Sequence, residues 1–157
     1  MGGDPVLTHI CPYRVCYADS DQMGRVYYAN YFVFAERART EFMREAGCSY
    51  RELEAEGVFL PVRQCAARYF APAVYDDWLL LRTHVERLRH ATATLVTHIG
   101  REDAEKPLAV VTVELACIGT ASGRPRPLPE KLRAALAGYI HDRGIVQSAP
   151  ASGAGWP

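Results

Sequence analysis

An acidic turn followed by a helix start contains the residues of this chain that could do chemistry. Asp19 and Asp21 flank Ser20. Gly24 gives the backbone freedom to turn, and Asn30 stands immediately before a run of periodic apolar residues, where a helix N-cap is expected. The N-terminus of a helix offers free N–H groups and the positive end of the helix dipole. This order predicts that one carboxylate and one helix N-terminus can address the same substrate atom.

Two ordinary roles compete with chemistry at this turn. An Asp carboxylate in a glycine-containing turn commonly accepts hydrogen bonds from local backbone N–H groups. The D-x-D spacing also begins a calcium-binding loop, but the fifth position of that pattern is Met23 and the twelfth is Asn30, where a bidentate Glu belongs. The sequence therefore argues against a calcium loop and leaves a structural or a catalytic carboxylate.

A helix is predicted from about residue 30 to residue 46, because apolar residues recur at steps of three and four. The apolar stripe consists of Tyr31, Phe34, Ala35, Ala38, Phe42 and Ala46. Gly47 is placed to close this helix in the left-handed conformation. Ser49 and Glu52 fit a capping box for a short second helix, which Gly57 is expected to end.

The rest of the chain reads mainly as β-strands, because apolar and polar residues alternate along it. The predicted strands lie at residues 13–17, from 59 onward, 78–88, 92–99 and 108–118. Pro61 marks the start of the second of these or a sheet edge, and residues 129–141 form a modest helical segment. The apolar face of such a sheet needs a cover, and the long helix is available, so the predicted fold class is α+β.

Four segments, taken in order, carry a resemblance to a known family. They are D-S-D-Q-M-G-R-V-Y-Y-A-N-Y at residues 19–31, F-A-E-R-A-R at 34–39, G-V-F-L-P-V at 57–62 and A-P-A-V-Y-D-D at 71–77. The chain resembles the 4-hydroxybenzoyl-CoA thioesterase-like hotdog family over roughly residues 13–118. Within that family it is most similar to the bacterial acyl-CoA thioesterases associated with the Tol–Pal gene cluster. Ordered agreement of this kind is far more specific than one short motif.

The resemblance implies a fold, an activity and an assembly. The hotdog fold is a long central helix wrapped by an antiparallel β-sheet, and its dimers join two sheets edge to edge, often as homotetramers of such dimers. Pairing of this kind also buries exposed sheet edges. The implied activity is hydrolysis of an acyl-CoA thioester to the free acid and CoA, with no metal and no redox cofactor.

The resemblance also assigns roles at the turn. Thioester hydrolysis needs an attacking group and donors for the developing oxyanion. Asp21 corresponds to the family's catalytic carboxylate, which acts either as a nucleophile through an anhydride or as a base for water, and the Tyr28 backbone N–H corresponds to the group that polarises the carbonyl. Close relatives often carry a histidine where Tyr28 stands, whereas a tyrosine is more similar to the 4-hydroxybenzoyl-CoA branch. Gly24 and Asn30 are expected to shape the site, and Asp19 to support the turn.

Arg87, Arg89 and His90 are the candidates for binding the phosphates of coenzyme A. They lie at the turn after Leu88, where the family often places such residues. Solvated arginines at the end of a hairpin are equally common. Phosphate binding and simple exposure therefore both stay open for these three residues.

Composition narrows the function classes. The chain has 157 residues, with 18 basic and 18 acidic side chains, and no basic run that would favour nucleic acid. No stretch approaches the ~18 apolar residues of a spanning helix, and MGGDPVLTHI lacks the pattern of a signal peptide, so the protein is expected to be cytoplasmic. Its five cysteines are scattered, without C-x-x-C, and are expected to be reduced and mostly buried.

The sequence leaves two other functions open and predicts one domain. A thioesterase acting on an acyl-carrier protein would need the same chemistry, and a non-catalytic acyl-CoA-binding hotdog protein would need the same fold. A single domain is predicted over residues 1–147. The Gly-, Ala-, Ser- and Pro-rich tail at 148–157 is predicted to be disordered.

Overall fold

A computed structural model of the chain describes residues 7–141. The predicted tail at 148–157 and both ends of the predicted domain lie outside the described residues. The α-helices within these residues are α1 Asn30–Glu45, α2 Tyr50–Ala55 and α3 Glu130–Ala137. The strands are β1 His9–Arg14, β2 Val58–Phe59, β3 Val62–Tyr69, β4 Trp78–Leu88, β5 Thr92–Arg101, β6 Ala109–Ala116 and β7 Ile118–Gly119.

Five of the strands form one antiparallel sheet in the order β1-β4-β5-β6-β3. β5 is its central strand, flanked by β4 and β6, and β1 and β3 form its edges. β2 and β7 pair separately as a two-stranded sheet. This architecture confirms the α+β class. The predicted strand at residues 78–88 is observed with the same bounds, and Pro61 immediately precedes the edge strand β3 as expected.

α1 covers the inner face of the five-stranded sheet. It contacts β1, β4, β5 and β6, and its buried residues are Tyr31, Phe34, Ala35, Ala38, Arg39, Phe42 and Met43. The inner face of β4 presents Leu79, Leu81, Thr83 and Val85, all buried. The apolar residues that recur every 3.6 positions along the helix therefore pack against those that alternate along the strands, and together they form one core.

The local signals after α1 are confirmed. Gly47 and Gly57 have φ angles of 77° and 83°, the left-handed conformation that favours glycine. The capping box is formed, because the Ser49 hydroxyl accepts from the Glu52 N–H and the Glu52 carboxylate accepts from the Ser49 N–H.

Two predicted boundaries are wrong. The first strand is His9–Arg14 rather than 13–17, because residues 17–19 form a 3₁₀ turn and the inward positions of β1 start at a buried histidine, His9. α3 ends at Ala137, before the predicted end at residue 141, because the chain beyond it pairs with β4. The Val85 N–H donates to the Tyr139 carbonyl and the Val85 carbonyl accepts from the His141 N–H, at 2.9 Å each.

That pairing occupies the part of β4 that β1 does not reach, since the register of β1 against β4 ends at Thr83.

Within residues 7–141, no helix combines the length and the apolarity that crossing a bilayer requires.

Candidate active site

The backbone around Asp21 forms a tight turn. The Asp21 N–H donates to the Arg25 carbonyl at 2.8 Å, the Gly24 N–H donates to the Asp21 carbonyl at 3.0 Å, and Ser20 forms an antiparallel bridge with Val26. Gly24 has a φ of 72°, so a side chain there would be strained whatever the space. The predicted turn glycine therefore has a physical reason.

The Asp21 carboxylate is half-buried and has one local partner. Its Oδ1 accepts a hydrogen bond from the Met23 N–H at 2.8 Å, the structural interaction expected of an Asp in a turn. Among the residues that the structure describes, nothing donates to its Oδ2. One oxygen therefore orients the side chain, and the other is available to a ligand.

Asp19 links the acidic turn to the start of α1. Its Oδ2 accepts from the Tyr13 hydroxyl at 2.7 Å and from the Cys16 N–H at 2.8 Å. Its carbonyl accepts from the Tyr27 N–H at 2.8 Å and from Asn30 Nδ2 at 2.9 Å. These four contacts fit the structural role predicted for Asp19.

The prediction that Asn30 caps α1 is wrong. The N-cap position is occupied by Ala29, which has helical dihedrals (φ −69°, ψ −23°), and no side chain caps the helix. Asn30 is instead the first residue of α1, because the turn that begins at Tyr27 already brings the chain into helical conformation. The Asn30 side chain donates back to the Asp19 carbonyl. This contact supports the predicted role of Asn30 in shaping the site, which stays a prediction.

The N-terminal end of α1 presents unpaired N–H groups. Across residues 7–141, neither the Tyr28 N–H nor the Ala29 N–H has a hydrogen-bond acceptor. The Tyr28 side chain is 60% exposed and its ring packs edge-on against Tyr27, with 4.8 Å between centroids. The acid and the unpaired amides therefore belong to one continuous turn and helix start, in which Tyr28 is exposed.

One residue beside the helix start was missed from the sequence. The Tyr69 hydroxyl donates to the Tyr28 carbonyl at 2.9 Å, and its ring lies edge-on to Tyr31 with centroids 5.2 Å apart. Tyr31 is buried, and its hydroxyl accepts from the Ala73 N–H at 3.0 Å. Strand alternation placed Tyr69 on a face of β3, but nothing in the sequence signalled a contact across 41 positions.

The candidate phosphate-binding residues lie elsewhere in the chain. Arg87, Arg89 and His90 are at the β4–β5 turn, where the Arg89 and His90 carbonyls accept from the Arg133 guanidinium. The other end of β4, at Trp78, pairs with Arg14 beside the acidic turn. Eleven strand residues at about 3.3 Å each separate the two ends by roughly 30 Å. Within one protomer these residues are not brought to Asp21, so a role on the same substrate would require a partner subunit.

The cysteines agree with the predicted reduced state. All five are free thiols; Cys11, Cys48 and Cys117 are buried and Cys16 and Cys65 are exposed. Burial raises the pKa of each of the three buried thiols, which disfavours the reactive thiolate. In the described part of the chain, no three His, Cys, Asp or Glu side chains are arranged to hold a metal ion.

A cavity of about 460 Å³ lies apart from the acidic turn. It is lined by residues of β4, β5 and their neighbours, including Arg82, Glu105 and three histidines. The His84 ring stacks on His141, with centroids 3.9 Å apart, and on His98, with centroids 5.6 Å apart. Burial, together with the two neighbouring imidazoles, lowers the pKa of His84 to about 4. Sequence spacing gave no sign of this cluster.

The lowered pKa of His84 predicts that acid destabilises the protein. The unfolded chain takes up this proton near pH 6.5 and the folded protein only near pH 4, so the free energy of unfolding should fall as the pH drops through that window. His84→Gln should make the fall less steep. Urea unfolding at pH 7, 6 and 5 measures the slope, with the exposed His90→Gln as a control for loss of a surface imidazole. An unchanged slope in His84→Gln would contradict the assignment.

Comparisons with known proteins identify related chains. The family model described as the thioesterase-like superfamily matches residues 15–136. The acyl-CoA thioester hydrolase YbgC of Escherichia coli is 37% identical over 122 residues, covering 77% of this chain and 90% of that protein. The acyl-CoA thioesterase YbgC of Haemophilus influenzae is 34% identical over 126 residues, covering 80% and 91%. A solved structure of a probable thioesterase from Bartonella henselae has a TM-score of 0.72 and 35% identity, covering 78% of this chain and 100% of that one.

Proposed function

This chain belongs to the thioesterase-like superfamily and is a thioester hydrolase, and from that premise we propose that it cleaves acyl-CoA with the Asp21 carboxylate and the Tyr28 backbone N–H. The observation that carries the proposal is the double link from the Asp19 carbonyl to the Tyr27 N–H and the Asn30 side chain. Through it, the turn that bears the acid is fastened to the helix start that bears the amide.

The substrate carbonyl would accept a hydrogen bond from the Tyr28 N–H. As the carbonyl carbon becomes tetrahedral, negative charge grows on its oxygen, and an amide at a helix N-terminus stabilises that charge without having to reorient. The unpaired state of this N–H supports the assignment, because no protein acceptor has to be displaced first.

Asp21 would supply the attack in one of two ways. As a nucleophile, a carboxylate oxygen bonds to the carbonyl carbon and expels the CoA thiolate, which takes a proton to become the thiol; water then cleaves the mixed anhydride to the free acid and regenerates the carboxylate. As a general base, the carboxylate takes a proton from water as the hydroxide attacks the carbonyl carbon; the leaving thiolate takes up that proton, which regenerates the carboxylate. Both need one free carboxylate oxygen, which Oδ2 provides.

Assembly through β3 is part of the proposal. All residues of β3 except Ala67 are exposed, and on one side the strand has no partner within residues 7–141. A long exposed edge is a site for pairing with another strand. We assign it to a second copy, giving the edge-to-edge dimer of the hotdog fold, in which the β4–β5 turn of the partner could approach the substrate.

Release of thiol from matched substrates tests the activity. The protein should release CoA from acyl-CoA thioesters faster than it cleaves the same acyl groups on an acyl-carrier protein, because its relatives in Escherichia coli and Haemophilus influenzae are an acyl-CoA thioester hydrolase and an acyl-CoA thioesterase. A panel of aliphatic and aromatic CoA thioesters with a thiol reagent measures both rates. Faster cleavage of the carrier-protein thioesters would mean that the substrate is an acylated carrier protein. Saturable binding without thiol release would mean that the protein is a non-catalytic acyl-CoA sensor.

A further inference from the structure

The backbone of Tyr28 is not secured by the helix that follows it. In a regular α-helix the Tyr28 carbonyl would accept from the Phe32 N–H, four residues on. The Phe32 N–H donates instead to the Ala29 carbonyl at 3.1 Å. The hydroxyl of Tyr69 is the partner that the Tyr28 carbonyl has in the described structure.

Tyr69 is itself held in place from two directions. It is the last residue of β3 and pairs with Ala109 of β6. Its ring rests edge-on against Tyr31, whose own hydroxyl is bound by the Ala73 N–H. A strand end and a buried ring therefore fix the position from which the hydroxyl reaches Tyr28.

We infer that Tyr69 is a positioning residue that sets the orientation of the Tyr28 backbone and thereby aims the Tyr28 N–H at the thioester carbonyl. The inference rests on the proposed function. The carbonyl that Tyr69 binds and the N–H that faces the substrate belong to the two peptide groups that meet at the Tyr28 Cα. The preceding peptide, between Tyr27 and Tyr28, is held through its carbonyl, which accepts from the Asn30 N–H at 2.9 Å. The Tyr69 hydrogen bond fixes the second peptide, so little rotation is left at Tyr28.

The chemistry of the hydroxyl suits this role. Burial raises the pKa of Tyr69, so the phenol remains a hydrogen-bond donor at neutral and mildly alkaline pH. The hydroxyl is directed to a backbone carbonyl, which can accept but cannot donate. The Tyr69 proton is thus donated to the Tyr28 carbonyl, and the effect of Tyr69 passes through the geometry of Tyr28.

Tyr69→Phe keeps the ring and removes the hydrogen bond. We expect kcat to fall about 10- to 100-fold with little change in KM, because a small misplacement of a group that stabilises the transition state costs rate rather than ground-state binding. Tyr139→Phe is the control: it also removes one phenolic hydroxyl, from a ring that packs on Phe42 away from the acidic turn, and should leave kcat unchanged. Unfolding curves and sedimentation of both variants check that fold and oligomeric state are retained. A Tyr69→Phe enzyme with unchanged kcat would overturn the inference.

A spectroscopic measurement separates this inference from the proposed function. In the Asp21→Asn protein, a bound benzoyl-CoA substrate should show a thioester C=O stretch at lower frequency than in water, because the Tyr28 N–H polarises it. Adding Tyr69→Phe should return the frequency towards its value in water. A low frequency that Tyr69→Phe does not change refutes the role of Tyr69 alone. No lowering in either protein refutes the carbonyl contact of Tyr28, and the role of Tyr69 falls with it.

Discussion

Asp21→Asn is expected to lower kcat for thioester hydrolysis by about 10³-fold, within the range that removal of a catalytic acid or base produces. An amide can neither form the anhydride nor accept a proton from water. The substitution preserves the shape of the side chain, and the amide oxygen can still accept from the Met23 N–H. Turnover measured by thiol release, with melting curves of both proteins, checks the expectation.

The control for this experiment is Asp103→Asn, which removes a carboxylate from the exposed β5–β6 loop. It should retain full turnover. If Asp21→Asn retains turnover as well, Asp21 has no catalytic part and its role is the turn contact with Met23 alone. If Asp21→Asn melts as the parent does and is inactive, the loss is chemical.

Phe42→Ala is expected to cost about 3–5 kcal/mol of unfolding free energy, a large share of the ~5–15 kcal/mol typical of a domain. The Phe42 side chain is 0% exposed, and it packs against His9 and Tyr139 with ring centroids 5.3 Å and 4.5 Å away. Its removal leaves a cavity between α1, β1 and the segment that follows α3. Urea unfolding followed by circular dichroism measures the loss.

Val33→Ala on the same helix is the matched control. Val33 is 52% exposed, so its truncation should change the unfolding free energy by about 0.5 kcal/mol or less. A loss in Phe42→Ala as small as that in Val33→Ala would mean that α1 is not packed on the sheet through this ring.

Elements with a strong internal period could be predicted from the sequence. α1 and β4 are the clearest cases, because apolar residues recur regularly along one face of each and charged residues are concentrated on the opposite face. The capping box at Ser49 and the left-handed glycines at 47 and 57 were also predictable, since each depends on residues within a few positions of one another. In all of these the information is local.

Boundaries set by contacts between distant segments could not be predicted. α3 ends early because Ile140 forms a bridge with Val85, 55 positions earlier in the chain. Asn30 does not cap the helix because the turn that begins at Tyr27 already places it inside α1, and its side-chain amide donates instead to the distant Asp19 carbonyl. Intrinsic helix and strand propensity describes what a residue favours in isolation. At these two boundaries, contacts with distant segments determined the conformation.

The candidate site divides in the same way. The proximity of the acidic turn to the helix start follows from their adjacency along the chain and could be predicted from the sequence, whereas the roles of Asp21 and Tyr28 come from the family resemblance and stay predictions. The contact from Tyr69 depends on where the end of β3 falls relative to α1. The placement of Arg87, Arg89 and His90 at the far end of β4 depends on strand direction, which a list of residue types does not contain.

The two borders of the five-stranded sheet are unequal in their capacity to recruit another strand. β1 has six residues and carries Pro12 in its middle, which lacks an N–H to offer a newcomer. β3 has eight residues and no proline. If two copies join through β3, as proposed, neither is left with a second border able to accept a strand, so growth by strand addition would terminate at a pair instead of continuing into a fibre.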